Sequence, residues 1–513
     1  MKPIRLMSGF LTVGMWTLLS RVLGFVRDAM ILAYLGTGPA YEAFVVAFRL
    51  PNMFRRFFAE GAFNMAFVPM FAKRLEAGAD ARGFAEDAMS GLASVLILLT
   101  LAAQLAMPWL VYALASGFAG QEQFGLSVEF GRIAFPYILF ISLAALLSGV
   151  LNATGRFAAA AAAPALLNII LVSAMALAAW AGLDIARTLV WMIPVAGIAQ
   201  FVLVWVAASR AGFRLVPRRP RLTPELKRLV RIAVPAALAG GVVQVNLLIG
   251  QQVASYFDKA VGWLYAADRL YQLPLGVVGI AVGIVLLPDL SRRLAAGDDL
   301  GARTALSRAG EVALALTVPA AVALVVIPLP LVTVLFQRGA TTAADSAAIA
   351  QAVAIYGLGL PAFVLQKILQ PLYFAREDTR SPFYYALAAM AVNAVAAIGL
   401  TPWIGWLAPA VATTLAGWAM VALLVRGARP MGEVARFDDR FFARIWRICG
   451  AALVMGAALW LGAQMLGPML ATAGWRYLAL ALLVGIGAVV FFGTGQLIGA
   501  FRLAEFSRAL RRG

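Results

Sequence analysis

The chain has 513 residues, of which 63% are hydrophobic and 13% charged, and its mean hydropathy is +0.88. An ordinary soluble domain is about 45–50% apolar and about 25% charged, so the composition excludes a soluble globular enzyme. The formal net charge of +18 would suit nucleic acid, but the basic residues fall mainly in short loops between apolar stretches, as the positive-inside rule expects of a membrane protein. No nucleic-acid partner is expected.

Apolar stretches of about 20 residues recur from end to end, each long enough to cross a bilayer. In chain order, hydropathy and flanking charge predict about 14 transmembrane helices, beginning near residues 10, 41, 88, 130, 158, 187, 229, 261, 309, 347, 382, 405, 442 and 475. The fold class is an all-α polytopic membrane protein in the lipid bilayer. Met1 to Arg5 leads into a long first span without a small-residue cleavage site, so no cleavable signal peptide is expected. An even span count puts both termini on one side. Loops on that side carry Lys73, Arg74, Arg82, Arg156, the run Arg214 to Arg228, Arg292, Arg293, Arg376, Arg380 and Arg426 to Arg440, and the alternate loops are poorer in basic residues. Both termini are predicted to be cytoplasmic.

The proline-bearing stretch from Arg210 to Arg231 reads as a linker between two halves. Phe67 to Gly78 (FVPMFAKRLEAG) closes the second span and Leu286 to Gly297 (LLPDLSRRLAAG) closes the eighth. Arg49-Leu50 and Arg269-Leu270, and the basic loops at Arg156 and Arg376, echo each other at a similar separation. Such a pattern is that of a parallel repeat of six spans plus six. The expected domains are residues 1–215 (spans 1 to 6), 216–430 (spans 7 to 12) and 431–513 (spans 13 and 14 with a basic tail).

Eleven charged groups lie where apolar helices should exclude them: Arg21, Arg27 and Asp28 in the first span, Glu42, Arg49, Arg55, Arg56 and Glu60 in the second, Asp268 and Arg269 in the eighth, and Lys367 in the tenth. Facing lipid, they would cost on the order of 30 kcal/mol, so they must line a hydrated cavity or pair with one another. At about 100° per residue Arg21 and Asp28 share a face, as do Glu42, Arg49 and Arg56. Gly24 and Pro51 are the expected bends that would re-aim Arg27 and Arg55. Seven of these groups are cationic and four anionic. The excess points to an anionic cargo, and the planar arginine fork suits phosphate or pyrophosphate oxygens. A cation-coupled drug exporter would instead show an excess of buried carboxylates.

Other classes of chemistry find little support. There is no histidine, so imidazole bases and His-based zinc sites are excluded. The single cysteine, Cys449, can form neither an intrachain disulfide nor a metal pair. A membrane glycosyltransferase or phosphotransferase would need an acidic metal motif, whereas the intramembrane carboxylates lie close in sequence to arginines. A structural scaffold of the division machinery would need no charged cavity at all.

The segments Ser20 to Asp28 (SRVLGFVRD), Ala43 to Asn52 (AFVVAFRLPN), Arg55-Arg56, Phe58 to Phe63 (FAEGAF), Ala66 to Pro69 (AFVP) and Ala266 to Leu270 (AADRL) resemble the MurJ (MviN-type) lipid II flippases of the multidrug/oligosaccharidyl-lipid/polysaccharide exporter superfamily. Phe135 to Leu139 and Phe336 to Gly339 add weaker echoes. The resemblance implies two six-helix bundles in a V, a central cationic cavity, and two extra helices whose groove holds part of a polyprenyl tail. It implies lipid II, the undecaprenyl-diphosphate-linked disaccharide-pentapeptide, as a cargo moved from the cytoplasmic to the periplasmic leaflet of the bacterial inner membrane by alternating access, for cell wall synthesis, whose machinery would be a further partner. It assigns substrate binding to Arg21, Arg27, Asp28, Arg55 and Arg269. Glu42, Arg49, Arg56, Glu60, Asp268 and Lys367 remain additional cavity candidates. Glu42 and Gln272 depart from the family's usual aspartate and occasional glutamate. No cofactor is implied and no metal site is expected. From Ile232 to Phe257 the seventh span has no carboxylate on which to build a cation site, and there is no P-loop for ATP. The membrane potential, worth about 2.3 kcal/mol per elementary charge per 100 mV, is then left as a drive.

Overall fold

A helix satisfies all of its own backbone hydrogen bonds, which is what hydrocarbon demands of any segment that crosses it. The computed structural model describes residues 3–55 and 62–501, and the regular structure among them is all helical. The spans predicted from hydropathy coincide with these helices, some spans being made of two pieces. Among the described residues nine helical segments are long and apolar enough to cross a membrane by length and composition. The helices that carry most of the anomalous charges are not among those nine.

Packing divides the chain into two units. The first holds the described residues up to Gly262 together with Arg338–Thr341, and the second holds Trp263–Gln337 and the residues from Thr342 on. In the first unit the helices are α1 (Pro3–Leu35), α2 (Pro39–Arg55), α3 (Ala62–Glu76), α4 (Ala81–Leu114), α5 (Glu122–Ala134), α6 (Tyr137–Ala153), α7 (Ala158–Ala181), α8 (Ile185–Arg210) and α9 (Pro224–Ala254). Helix α6 is central, packing on α2, α3, α4, α7 and α8. Buried Gln200 ties three helices, accepting from Tyr137 Oη at 3.2 Å and donating to the Ala163 carbonyl at 2.7 Å. Helix α9 packs on α3 and α4, and Arg74 pairs with Glu225 at its start at 3.2 Å. Backbone N–H donation at the start of α9, and then Arg74, hold the Glu225 carboxyl below its ordinary range.

The second unit is built from α10 (Ala260–Ala295), whose first turn belongs to the first unit, and from α11 (Asp299–Val326), α12 (Pro328–Phe336), α13 (Ala343–Phe374), α14 (Arg380–Ile404), α15 (Ala408–Ala428), α16 (Asp439–Met465), α17 (Gly467–Ala471) and α18 (Arg476–Leu497). Helix α13 is its centre, packed on α11, α12 and α15. Helices α16 and α18, the two extra spans, pack on each other, and α16 packs on α11.

Local details repeat between the units. Gly78 and Gly297 both take positive φ, +65° and +69°, and the next helix in each case is capped by an aspartate, Asp80 or Asp298, that accepts the N–H three residues on. The strand of irregular chain after each set of six spans is then fastened to that same helix. On α4, Arg82 donates to the Arg214 carbonyl at 2.8 Å and Ser90 Oγ accepts the Arg218 N–H at 2.8 Å. On α11, Arg303 donates to the Arg436 and Phe437 carbonyls and Ser307 Oγ accepts the Asp438 N–H at 3.0 Å. Both sites carry a buried carboxylate: Glu86 pairs with Arg82 and Arg218, and Glu311 with Arg308, Arg440 and Arg444. The irregular part of the expected linker, residues 211–223, is thus a strap held to the bundle it leaves, whereas residues 224–231 already belong to α9.

The hairpin of Arg338–Thr341 is fixed to the end of α1. Ala340 N–H donates to the Ala33 carbonyl at 2.8 Å and Thr341 Oγ1 to the Leu32 carbonyl at 2.7 Å. Gly339 has φ +58°, and a Cβ there would lie 2.1 Å from the Ala33 oxygen. Left-handed strain and the backbone clash together are expected to cost on the order of 3 kcal/mol in Gly339→Ala. The thermal midpoint of the purified variant in detergent should fall by several degrees, and an unchanged midpoint would refute the contact.

Candidate functional site

The charged groups of the first span sit on α1 where it packs along α7. Helix α1 is helical throughout, with no interruption at Gly24, and α2 likewise continues through Pro51 to Arg55. Arg27 is therefore aimed by its partners rather than by a break in the helix. Its Nε and Nη2 donate to Asp28 Oδ1 at 3.0 and 2.7 Å, and its Nη1 donates to Asn168 Oδ1 on α7 at 2.9 Å. The guanidinium also lies 5.7 Å from the centroid of the Phe48 ring on α2. Arg27 and Asp28 are only 8% and 7% exposed. An ion pair buried this far is tolerated because each charge meets a charge-assisted hydrogen bond in place of water.

Arg21, two turns earlier on α1, is exposed. Arg49 and Arg55 on α2 are half-buried. Near them Pro51 lacks the N–H that a helix would use, and Asn52 Nδ2 donates to the Phe48 carbonyl at 2.8 Å. Arg56 and Glu60 lie outside the described residues. Glu42 is 1% exposed, and its Oε1 accepts the N–H groups of Val261 and Gly262 at 3.1 and 3.5 Å. It is engaged with the first turn of α10.

In the second unit, the Arg269 guanidinium stands 4.3 Å over the Tyr265 ring one turn back, a contact that holds a cation without neutralising it. Asp268 accepts from Gln272 Nε2, so the Gln272 amide acts as a donor to a carboxylate. Tyr271 packs against Tyr356 and Phe363. Lys367 is exposed on α13 and makes no ion pair among the described residues.

Sequence reasoning passed over Asn168, Phe48 and Asn52. For Asn168 a signal was available: it is the one amide in α7, a helix otherwise apolar except for Ser173 and rich in alanine, and an intramembrane amide needs a partner. It also passed over Glu86 and Glu311, whose acidity is absorbed by the straps. Among the described residues no group of three carboxylates or thiols is placed to hold a metal ion.

The family model for the lipid II flippase MurJ matches residues 31–485. The chain belongs to this family. It is 46% identical over 99% of its length to a protein of Rhizobium meliloti (strain 1021) described as a probable lipid II flippase MurJ, 97% of which is covered. Its fold is similar to that of a lipid II flippase MurJ in an inward closed conformation, with TM-score 0.79, 22% identity and coverage of 95% of this chain and 98% of the other. An inward-facing MATE family multidrug resistance transporter of the MOP superfamily is similar at TM-score 0.69 and 14% identity over 81% of this chain and 95% of that one. At these identities the two structures speak to the fold alone. The family places the chain among multi-pass bacterial membrane proteins.

The geometry at Glu42 yields a test that separates anchoring from cargo contact. Glu42→Ala leaves two buried N–H groups without their acceptor, at about 1–3 kcal/mol each, whereas Glu42→Gln keeps an acceptor oxygen. The alanine variant is expected to melt several degrees below wild type and the glutamine variant near it. Equal melting of all three would show that Glu42 does not hold α10.

Proposed function

We propose that this chain is a lipid II flippase, moving the undecaprenyl-diphosphate-linked precursor from the cytoplasmic to the periplasmic leaflet by alternating access, and that both termini face the cytoplasm. It is a transporter, not an enzyme. The observation that carries the assignment of residues is Arg27: a guanidinium buried in an apolar helix pair, held in a fixed pose, with hydrogen-bonding capacity to spare. A diphosphate carries dispersed negative charge on several oxygens, and charge-assisted donation from arginine matches it. Arg21, Arg27, Arg55 and Arg269 bind the headgroup, and Asp28 orients Arg27 and offsets its charge while the cargo is absent. Arg49, Arg56, Glu60, Asp268 and Lys367 contribute to the field the headgroup meets, and Glu42 acts through the start of α10.

The cationic excess is also what disfavours multidrug export on the same scaffold, since a lipophilic cation would be repelled by it. The similarity to a MATE transporter is a similarity of fold, and fold does not specify cargo.

In bilayer discs, the wild type is expected to bind lipid II and not an unphosphorylated polyprenol in native mass spectrometry, and an Arg27→Ala, Arg269→Ala double variant is expected to lose at least tenfold in lipid II affinity, in line with removal of two charge-assisted contacts. Equal binding by both proteins, or none by either, would return these arginines to structural ion pairing. The orientation is read separately. A fluorescent protein that matures only in the cytoplasm should fluoresce when fused at either end, and a dark fusion at either end overturns the orientation.

A further inference from the structure

We propose that Asn168 is the positioning residue of the headgroup site, setting the pose in which Arg27 presents its remaining donors to a diphosphate. The inference rests on the reading that Arg27 meets the cargo, and it names the group that makes Arg27 fit to do so.

The carboxamide of Asn168 is 5% exposed and is used at both ends. Its Oδ1 accepts Arg27 Nη1 at 2.9 Å, while its Nδ2 donates to the Ser20 carbonyl at 2.9 Å and approaches Ser20 Oγ at 3.5 Å. Ser20 and Arg27 are two turns apart on α1, so one amide on α7 grips the helix at both points and spans the stretch between them. Gly24 lies midway, and even a Cβ there would come within 3.4 Å of Asn168 Nδ2. The amide therefore lies directly across the helix, in a place a larger residue at position 24 would contest.

The consequence is in the donor count. A guanidinium has five N–H donors. Asp28 takes one from Nε and one from Nη2, and Asn168 takes one from Nη1. One N–H on each terminal nitrogen is left without a described partner, a pair suited to two oxygens of an anion. Asp28 alone could let the guanidinium swing about its Nε edge. A second, neutral contact on the opposite nitrogen removes that freedom without cancelling more charge, as a second carboxylate would. Supporting contacts of this kind decide whether a binding group is held closely enough to work.

The rival account is that Asn168 is polar glue between α1 and α7, as amides often are between membrane helices. A double-mutant cycle separates the two. Full-length protein in bilayer discs is titrated with undecaprenyl diphosphate and with undecaprenyl phosphate, for wild type, Asn168→Leu, Arg27→Ala and the double variant. If Asn168 acts through Arg27, Asn168→Leu weakens the diphosphate about tenfold, shifts the diphosphate-to-monophosphate preference in the same direction as Arg27→Ala, and adds less than about twofold in the Arg27→Ala background. Equal weakening of both lipids, or a full further loss in that background, overturns the positioning role. Unchanged diphosphate affinity in Arg27→Ala itself overturns the parent reading and this one with it. Asn168→Gln keeps the donor and the acceptor but moves them by one methylene. It carries the test if the leucine variant fails to insert, with the same shift in preference expected at wild-type melting temperature and an unshifted preference counting against the proposal.

Discussion

A guanidinium inside an apolar helix pair has no bulk water to fall back on, so its geometry is whatever its neighbours impose. Arg27 meets one carboxylate and one amide, and their asymmetry matters. The carboxylate offsets the charge and the amide adds none, so the site satisfies its hydrogen bonds without turning net negative. The packing of α1 on α7, the amide in an alanine-rich helix and the glycine opposite it all follow from this requirement. A larger residue at position 24, or an aliphatic one at 168, would leave the charge either displaced or loosely held.

The carboxylates divide by use. Asp28 serves Arg27. Glu42 is spent on the backbone of a helix start, and Glu86 and Glu311 on the straps. A tally of charge along the sequence treats all of these alike. The structure shows that several acidic groups are already committed to local tasks.

Hydropathy and loop charge were sufficient to place the helices, because a segment in hydrocarbon has few alternatives to a helix and its length is set by the bilayer. The repeat was legible in two short segments, and its counterpart in space is a shared helix start and a shared strap. The aim of individual side chains was not legible. Helical phase put Arg27 away from Asp28 and called for a bend at Gly24, yet α1 is unbroken and a long flexible side chain folds back onto its neighbour. Contacts such as Asn168 with Ser20 join residues 148 apart, and no local pattern announces them. Packing is equally silent in sequence: nothing local to α9 announces that it packs on α3 and α4.

The straps are held chiefly through their backbone: the Arg214, Arg436 and Phe437 carbonyls and the Val216, Arg218 and Asp438 amides are gripped by side chains of α4 and α11. Grip of this kind draws on few of the strap's own side chains, chiefly Arg218, which pairs with buried Glu86, and Asp438, which pairs with Arg308. Substitutions at its other positions can accumulate without altering its path, so long as these two and Arg82, Glu86, Ser90, Arg303 and Ser307 persist. A change in strap length is another matter, since one added residue would move every amide and carbonyl off its partner. In the connections between its bundles the protein is thus permissive in composition and strict in count, the reverse of what is usual for a surface loop.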